Sequence, residues 1–167
     1  MSYICSHCGK EHEEWPALTF NAPYAYYRLS NEDKNNIAEL GSDHCIINYK
    51  NQTDLFIRAT LIQKVNSHCN NLDYGIWVSL SEKSYNDYAD NFDNENHITS
   101  YFGYLSNNIP GYEDTFIIHT TVNTRAGNER PEVVPHEGFE HPFVTDYYNG
   151  IEKDDAERRI ADMLKSQ

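Results

Sequence analysis

The sequence predicts an α+β fold: a mostly antiparallel sheet, two or three helices, and a zinc-knuckle-like loop at the N-terminus. Three observations predict it. Apolar and polar residues alternate at 44–49, 55–62, 74–80 and 114–122, the period-2 pattern of strands with one buried face. Residues 81–92 and 153–165 instead place apolar side chains at helical spacing. The chain also opens with Cys5-Ser6-His7-Cys8-Gly9, a spacing that lets two thiolates grip one ion from a tight loop.

Residues 1–16, ending at Trp15-Pro16, form the knuckle segment, and 17–167 form a single α+β domain. Residues 17–28 are aromatic and broken by Pro23, hence extended or irregular. Ser30 is a helix N-cap, with Asp33 in the first turn opposing the dipole and Gly41 ending the helix, which predicts a helix over 30–40. The strands 44–49 and 55–62 flank the polar turn Lys50-Asn51-Gln52-Thr53 and read as a hairpin. Leu55, Ile57, Ala59 and Leu61 share one face, as do Tyr74, Ile76, Val78 and Leu80, and then Phe116, Ile118 and Val122. Together these strands predict an antiparallel sheet buried on one side.

Tyr85, Tyr88, Ala89 and Phe92 line one face of the helix 81–92. Asp93 to His97 is polar, a surface loop. Tyr101 to Leu105 is apolar, and 107–112 carries strong turn chemistry. Residues 125–142 hold three prolines and two glycines, which predicts a long ordered loop. The closing helix, Lys153 to Lys165, has Ala156, Ile160, Met163 and Leu164 on its apolar face.

Thirteen basic residues against 26 acidic give a net charge of −13. That balance opposes binding to nucleic acid, which needs a basic stripe to displace counterions, and to an anionic membrane surface. It suits a basic protein partner steered in by the negative field. No apolar run approaches the roughly 18–20 residues of a membrane span, and the opening residues lack a signal-peptide pattern. A cytoplasmic location follows, where thiols stay reduced, so the four cysteines read as metal ligands and free thiols.

A structural zinc site needs four ligands. Cys5 and Cys8 are the firm pair, and the same pair also reads as two plain reduced thiols. His12 is the nearest third ligand. Cys45, at a strand start, is the best distant fourth, and reads equally well as a small buried hydrophobe. Cys69 lies in the polar loop Asn66-Ser67-His68-Cys69-Asn70-Asn71, where nothing assigns it a role. His136-Glu137-Gly138-Phe139-Glu140-His141 superficially resembles a metalloprotease helix, but its histidines are five apart, with a glycine between and prolines flanking. The carboxylates Glu82, Asp87 and Asp90 form a solvated helix face that could dock a basic partner. Tyr85 and Tyr88 would be its anchors if exposed, and core packing is their alternative.

Several of these segments belong together. Cys5-x-x-Cys8-Gly9-x-x-His12, Leu29-Ser30-x-Glu32, Ser42-Asp43-x-Cys45-Ile46, Trp77-Val78-Ser79-Leu80-Ser81-Glu82, Tyr101 to Asn107 with Pro110-Gly111-Tyr112, and His141-Pro142 resemble a bacterial family, domain of unknown function 2199. The resemblance runs from residue 5 to about 150. It implies no activity. It does turn the choice of fourth ligand to Cys45, whose surroundings are family-like while those of Cys69 are not. The segments at 77–82 and 101–107 would be either two core strands or the walls of a shared groove.

The expectation is a non-catalytic, acidic protein-binding module with a structural zinc. Its most concrete form is an immunity protein occupying the cleft of a cationic bacterial toxin. The alternative is a zinc-dependent hydrolase or nucleotide-modifying enzyme using His136 or His141, and a third reading is a regulatory domain sensing a small ligand through an aromatic groove.

Overall fold

Two long strands in mid-chain, Thr53–Gln63 and Leu72–Leu80, organise the rest of the computed structural model, which describes residues 2–6 and 8–165. In chain order the elements begin with β1 (Ser2–Ile4), β2 (Glu11–Glu13), β3 (Leu18–Thr19), α1 (Tyr24–Tyr27), α2 (Asn31–Asn36), β4 (Ala38–Leu40) and β5 (His44–Asn48). The two long strands are β6 and β7, followed by α3 (Glu82–Asp90), β8 (Ser100–Leu105), β9 (His119–Asn123) and β10 (Glu132–Pro135). Two helices, α4 (Pro142–Asn149) and α5 (Lys153–Lys165), end the chain. Among the described residues, no helix is long and apolar enough to cross a membrane.

The α+β expectation holds, with more helices than foreseen and with the sheet closed on itself. β6 and β7 pair antiparallel over nine residues, from Leu55↔Leu80 to Gln63↔Leu72. Each then offers its outer edge to two neighbours. β6 takes β5 along 53–57 and β10 at Thr60; β7 takes β8 at Val78 and Ser79 and β3 at Tyr74 and Gly75. The antiparallel pairs β8–β9 and β9–β10 complete the circuit. The result is a small barrel, in which β6, β7, β8, β9 and β10 leave no free edge between them.

The period-2 reading of β6 and β7 is borne out inside the barrel. Ile57, Ala59 and Leu61 of β6 and Tyr74, Ile76 and Val78 of β7 are buried there, with Leu105, Val122 and Val133 from the other strands. Phe143 and Val144 of α4 and Ala156 and Met163 of α5 join the same core. The expectation of one-sided burial is corrected. Phe56 and Trp77 point to the opposite face, where they bury Cys45 and Ile47 beneath Ala25, Tyr26, Leu29 and Ile37. Trp77 is tied on two sides: its Nε1 donates to Phe20 O at 2.9 Å, and its backbone N–H donates to Asn107 Oδ1 at 2.8 Å. Asn107 in turn donates to Ala22 O at 2.9 Å, so a buried amide fastens the 17–28 segment to the sheet.

Local departures have local causes. Ser30 caps α2, accepting from Asp33 N at 3.1 Å, but the helix ends at Asn36. Residues 38–40 are taken instead by antiparallel pairing with β5, Ala38↔Ile47 to Leu40↔Cys45. The foreseen strand 114–122 starts late, at His119. Asp114 is left-handed (φ 51°) and 115–117 form a 3₁₀ turn, because the Thr115 hydroxyl accepts from Ile109 N and donates to Asn107 O. The foreseen loop 125–142 holds β10 and ends at Pro142, which opens α4 from the helix position that tolerates proline best. On α5, Leu164 is exposed while Arg159 is buried. Arg159 reaches Tyr74, Tyr112, Asp146 and Asp155, exchanging apolar contact for paired charge.

The loop that joins β6 to β7 is pinned at the junction of α4 and α5. Asn66 N donates to Ile151 O at 2.8 Å, Asn66 Nδ2 to Asn149 O at 3.2 Å, and Ile151 N to Lys64 O at 3.0 Å. Gly150 makes this possible: its φ is +79°, and a Cβ there would lie 2.3 Å from Asn66 Oδ1. Gly150→Ala should therefore lower the unfolding free energy by about 1–3 kcal/mol, from backbone strain and the displaced amide. Urea denaturation measures this, and a wild-type midpoint would mean the pin carries no stability.

Candidate metal centre

β1 and β2 pair antiparallel, Ser2↔Glu13 to Ile4↔Glu11. The turn between them is closed by Gly9 N donating to Cys5 O and Cys5 N donating to Lys10 O, both at 2.8 Å. Gly9 sits at φ +69° with open space around it, the left-handed position such a turn requires. This fold-back brings Cys5 and Cys8 to the same side as His12, whose Nε2 lies 3.1 Å from Cys8 Sγ.

The fourth group is Cys69. The ligand atoms of Cys5, Cys8, His12 and Cys69 all lie within 4.8 Å of one another. A tetrahedral ion bonded at about 2.0–2.3 Å needs its ligand atoms roughly 3.3–3.8 Å apart, so only the wider spacings would have to close, by about an ångström at most. Contacts to the sulfurs of Cys8 and Cys5 push the Cys69 thiol up to about 12. That crowding is unfavourable to the Cys69 thiolate until a cation is present, and coordination to a cation would deprotonate it. The donor set, three sulfurs and one imidazole, fits a metal ion.

An aromatic wall flanks the cluster. Trp15 stacks on His68 (4.5 Å, 8°), His68 meets His12 edge-on at 5.0 Å, and Tyr3 lies 6.0 Å from His12. His68 Nδ1 accepts from Asn70 N at 3.1 Å, and the Tyr3 hydroxyl donates to Asn70 Oδ1. Through these contacts the β6–β7 loop holds the N-terminal hairpin by side chains as well as through the cluster.

Cys45 does not join it. The side chain is fully buried with Ile47, Phe56 and Trp77, and burial pushes its thiol up to about 12. The reason is register: opposite Phe56, Cys45 faces the smaller core. It is the small buried hydrophobe of the two alternatives, and Cys69 takes the place expected of it. The signal for Cys69 was available in the adjacent pair His68-Cys69 on a polar loop, but only the packing of that loop decides its role.

The carboxylates expected to meet a partner lie on α3. Ser81 caps it, accepting from Ser84 N at 3.2 Å. Glu82 and Asp90 are exposed, while Tyr85 and Tyr88 are half-buried against the main core. Asp87 is engaged within the protein: Tyr101 Oη donates to its Oδ2 at 2.6 Å, and His97 Nε2 lies 3.0 Å from the same oxygen. These hydrogen bonds, led by that from Tyr101, hold the Asp87 carboxyl below its ordinary range. His141 is also committed. Its Nδ1 accepts from Phe143 N at 3.0 Å as the cap of α4, and its Nε2 lies 2.6 Å from Glu113 O. His136 Nε2 lies 3.0 Å from Thr121 Oγ1.

The strands at 77–80 and 101–105 are paired neighbours whose inward residues lie in the main core, the core-strand reading of the two. Tyr101 and Leu105 face inward, whereas Phe102 and Tyr104 stand exposed. They pack perpendicular to His119 at 5.3 and 5.2 Å, and Phe139 lies 4.9 Å from the same imidazole. Ile117 is exposed nearby. This aromatic surface was legible only as alternation within an apolar run.

The family described as an uncharacterized protein conserved in bacteria (DUF2199) matches residues 4–151, and the chain belongs to that family. A search of curated proteins and a search of solved structures each return no match.

Two substitutions separate the cysteines. Cys69→Ser should sharply reduce bound metal, whereas Cys45→Ser should keep it and instead cost about 1–3 kcal/mol through a hydroxyl placed in an apolar core. Elemental analysis and thermal unfolding of the two variants check both. A second test concerns Asp87. Because its carboxyl is held low in the folded state, its contribution is present above the ordinary carboxylate pKa and is lost as the pH falls through the folded value. Asp87→Asn should be less stable than the wild type at neutral pH, with the gap closing on acidification.

Proposed function

As a member of a family to which no reaction is assigned, the protein is best read from its site: we propose a non-catalytic binding module whose N-terminal hairpin is locked by a structural zinc ion. The observation that carries this is the composition of the cluster. Three cysteines and one histidine from two chain segments supply all four positions of a tetrahedral ion, the donor set of closed structural sites; a catalytic zinc keeps one position for water or substrate. Zinc would supply folding energy here, on the order of 10–16 kcal/mol in finger peptides. The hydrolase alternative has less support, since His141 spends Nδ1 on the α4 cap and Nε2 on Glu113 O, and neither His136 nor His141 belongs to the cluster.

The partner is a basic protein. A net charge of −13 steers it, and Phe102, Tyr104 and Ile117 offer the exposed aromatic and aliphatic area typical of binding hot spots. An immunity protein seated in the cleft of a cationic toxin is the most concrete form of this reading.

Cobalt substitution tests the metal. The visible spectrum should be that of a tetrahedral thiolate-rich site and should stay unchanged on adding azide, while chelation should loosen 1–16 before the barrel. A spectrum that responds to azide reveals an open position and overturns the structural reading. The partner is tested by complex formation with a basic protein purified from the host. Binding should weaken with salt and by at least about tenfold in the double variant Phe102→Ser, Tyr104→Ser. A complex indifferent to both would sink it.

A further inference from the structure

Two adjoining cavities of ≈ 620 and ≈ 430 Å³ lie where the C-terminal end of α3 meets the side of the barrel. Both are lined by Asp43, Tyr88, Phe92 and Asp93, so they form one cleft with Phe92 along its middle. Phe92 was expected on the buried face of the helix. Instead it is 49% exposed, beyond the last turn of α3, and packs perpendicular to Tyr88 at 5.8 Å. A large aromatic ring thus stands exposed in a cleft whose larger cavity is lined mostly by polar side chains and whose smaller one adds Ile57, Tyr85 and Ala89.

The polar groups say what that ring could meet. Arg130 pairs with Asp43 at 2.8 Å, and Arg125 with Glu129 at 3.6 Å. Arg125 Nε also donates to Arg130 O at 2.8 Å. Asp93 makes no ion pair or side-chain hydrogen bond with the described residues. The amides are half used: Asn91 spends its Nδ2 on Asp87 O, and Asn94 spends its Oδ1 on Asn96 N. Both guanidiniums already have carboxylate partners, and Asp93 adds a further negative charge, so the cleft does not suit a phosphate or sulfate. A basic peptide would find only Asp93 unpaired, because Asp43 and Glu129 are already spent on the two guanidiniums.

What remains is a neutral ligand with donors and acceptors side by side and one apolar face. A sugar ring has that chemistry. Each hydroxyl both donates and accepts, neighbouring hydroxyls match the paired atoms of planar guanidinium, carboxylate and amide groups, and the C–H face lies against the negative face of an aromatic ring. Nucleobases share the hydrogen bonding, but they favour a slot that covers both faces of the ring, and this cleft offers a single exposed aromatic. Its volume lies within the range of small-molecule sites, and its extension to both sides of Phe92 suits more than one sugar residue.

We propose that this cleft is a carbohydrate-binding site for a neutral oligosaccharide, with Phe92 as the stacking platform and Asp93, Arg125 and Arg130 as hydroxyl partners. The site depends on neither the zinc nor the protein partner proposed above. Amide chemical shifts of the full chain should be followed during titration with maltotriose, cellotriose and tri-N-acetylchitotriose, and separately with inorganic phosphate and adenosine. At least one trisaccharide should saturably shift residues 91–94 and 125–131. Its affinity should fall by about tenfold or more in Phe92→Ala, roughly 1.4 kcal/mol, and also fall in Asp93→Asn, with thermal midpoints near that of the wild type. The proposal fails if no trisaccharide shifts these residues at ~10 mM, a Kd above which binding is worth less than about 2.7 kcal/mol. It also fails if phosphate or adenosine binds there more tightly, or if both variants bind the sugar as the wild type does.

Discussion

The fold depends on the unequal lengths of paired strands. β6 and β7 are longer than any neighbour, so each outer edge is divided between two partners. That division closes the barrel. A backbone edge buried without partners would leave several N–H and C=O groups unsatisfied, each costing about 1–3 kcal/mol. Sharing the edges removes that cost without demanding strands of equal length. It also explains how a single parallel contact, Glu132↔Thr60, suffices for closure: the antiparallel pairs on either side carry most of the hydrogen bonds.

The same hairpin sets the position of the cysteine–histidine cluster. Its connecting loop is gripped at one side by Asn66 and the α4–α5 junction and presents His68 and Cys69 at the other. The N-terminal hairpin, with strands of only three residues, has too little surface to stand alone. Its place therefore rests on the Trp15–His68–His12 ring contacts and on the packing of the four donors against one another. Arg159 plays a related part at the core. Its guanidinium lies over the Tyr112 ring at 5.0 Å and between Asp146 and Asp155, so α4, α5 and β7 meet at one desolvated charge. Such a group adds little net stability, but it penalises any packing that leaves it unpaired.

What could be read in the sequence was local. Cys5, Cys8, Gly9 and His12 lie within eight residues, and their geometry follows from one turn. The inward faces of β6 and β7 follow from alternation, and the cap Ser30 from hydroxyl chemistry. What could not be read was decided by partners distant in the chain. Residues 38–40 continue a helical pattern but are claimed by the edge of β5. Val133 and Val134 are too short a run to announce a strand until β9 lies beside them. Cys45 and Cys69 differ in which side of a sheet or loop they face, a property of register and packing that a strand-like or polar context does not reveal.

The layout also separates the candidate sites physically. The loop bearing Cys69 leaves one end of the β6–β7 hairpin, and α3, which carries Phe92 beyond its last turn, leaves the other. Nine residues of strand separate these two ends, although the cleft itself reaches back along β6 as far as Thr60. Coupling between the cluster and the cleft would have to pass through the packed barrel. A close-packed interior resists small deformations, and the ring of paired strands offers no hinge along that path. Loss of an ion at the cluster should therefore loosen the N-terminal hairpin while the barrel wall beneath Phe92 keeps its shape. On this structure the two regions are separate attachments to one scaffold, which is how a single small barrel can carry an anchored N-terminus, an exposed aromatic face and a cleft at once.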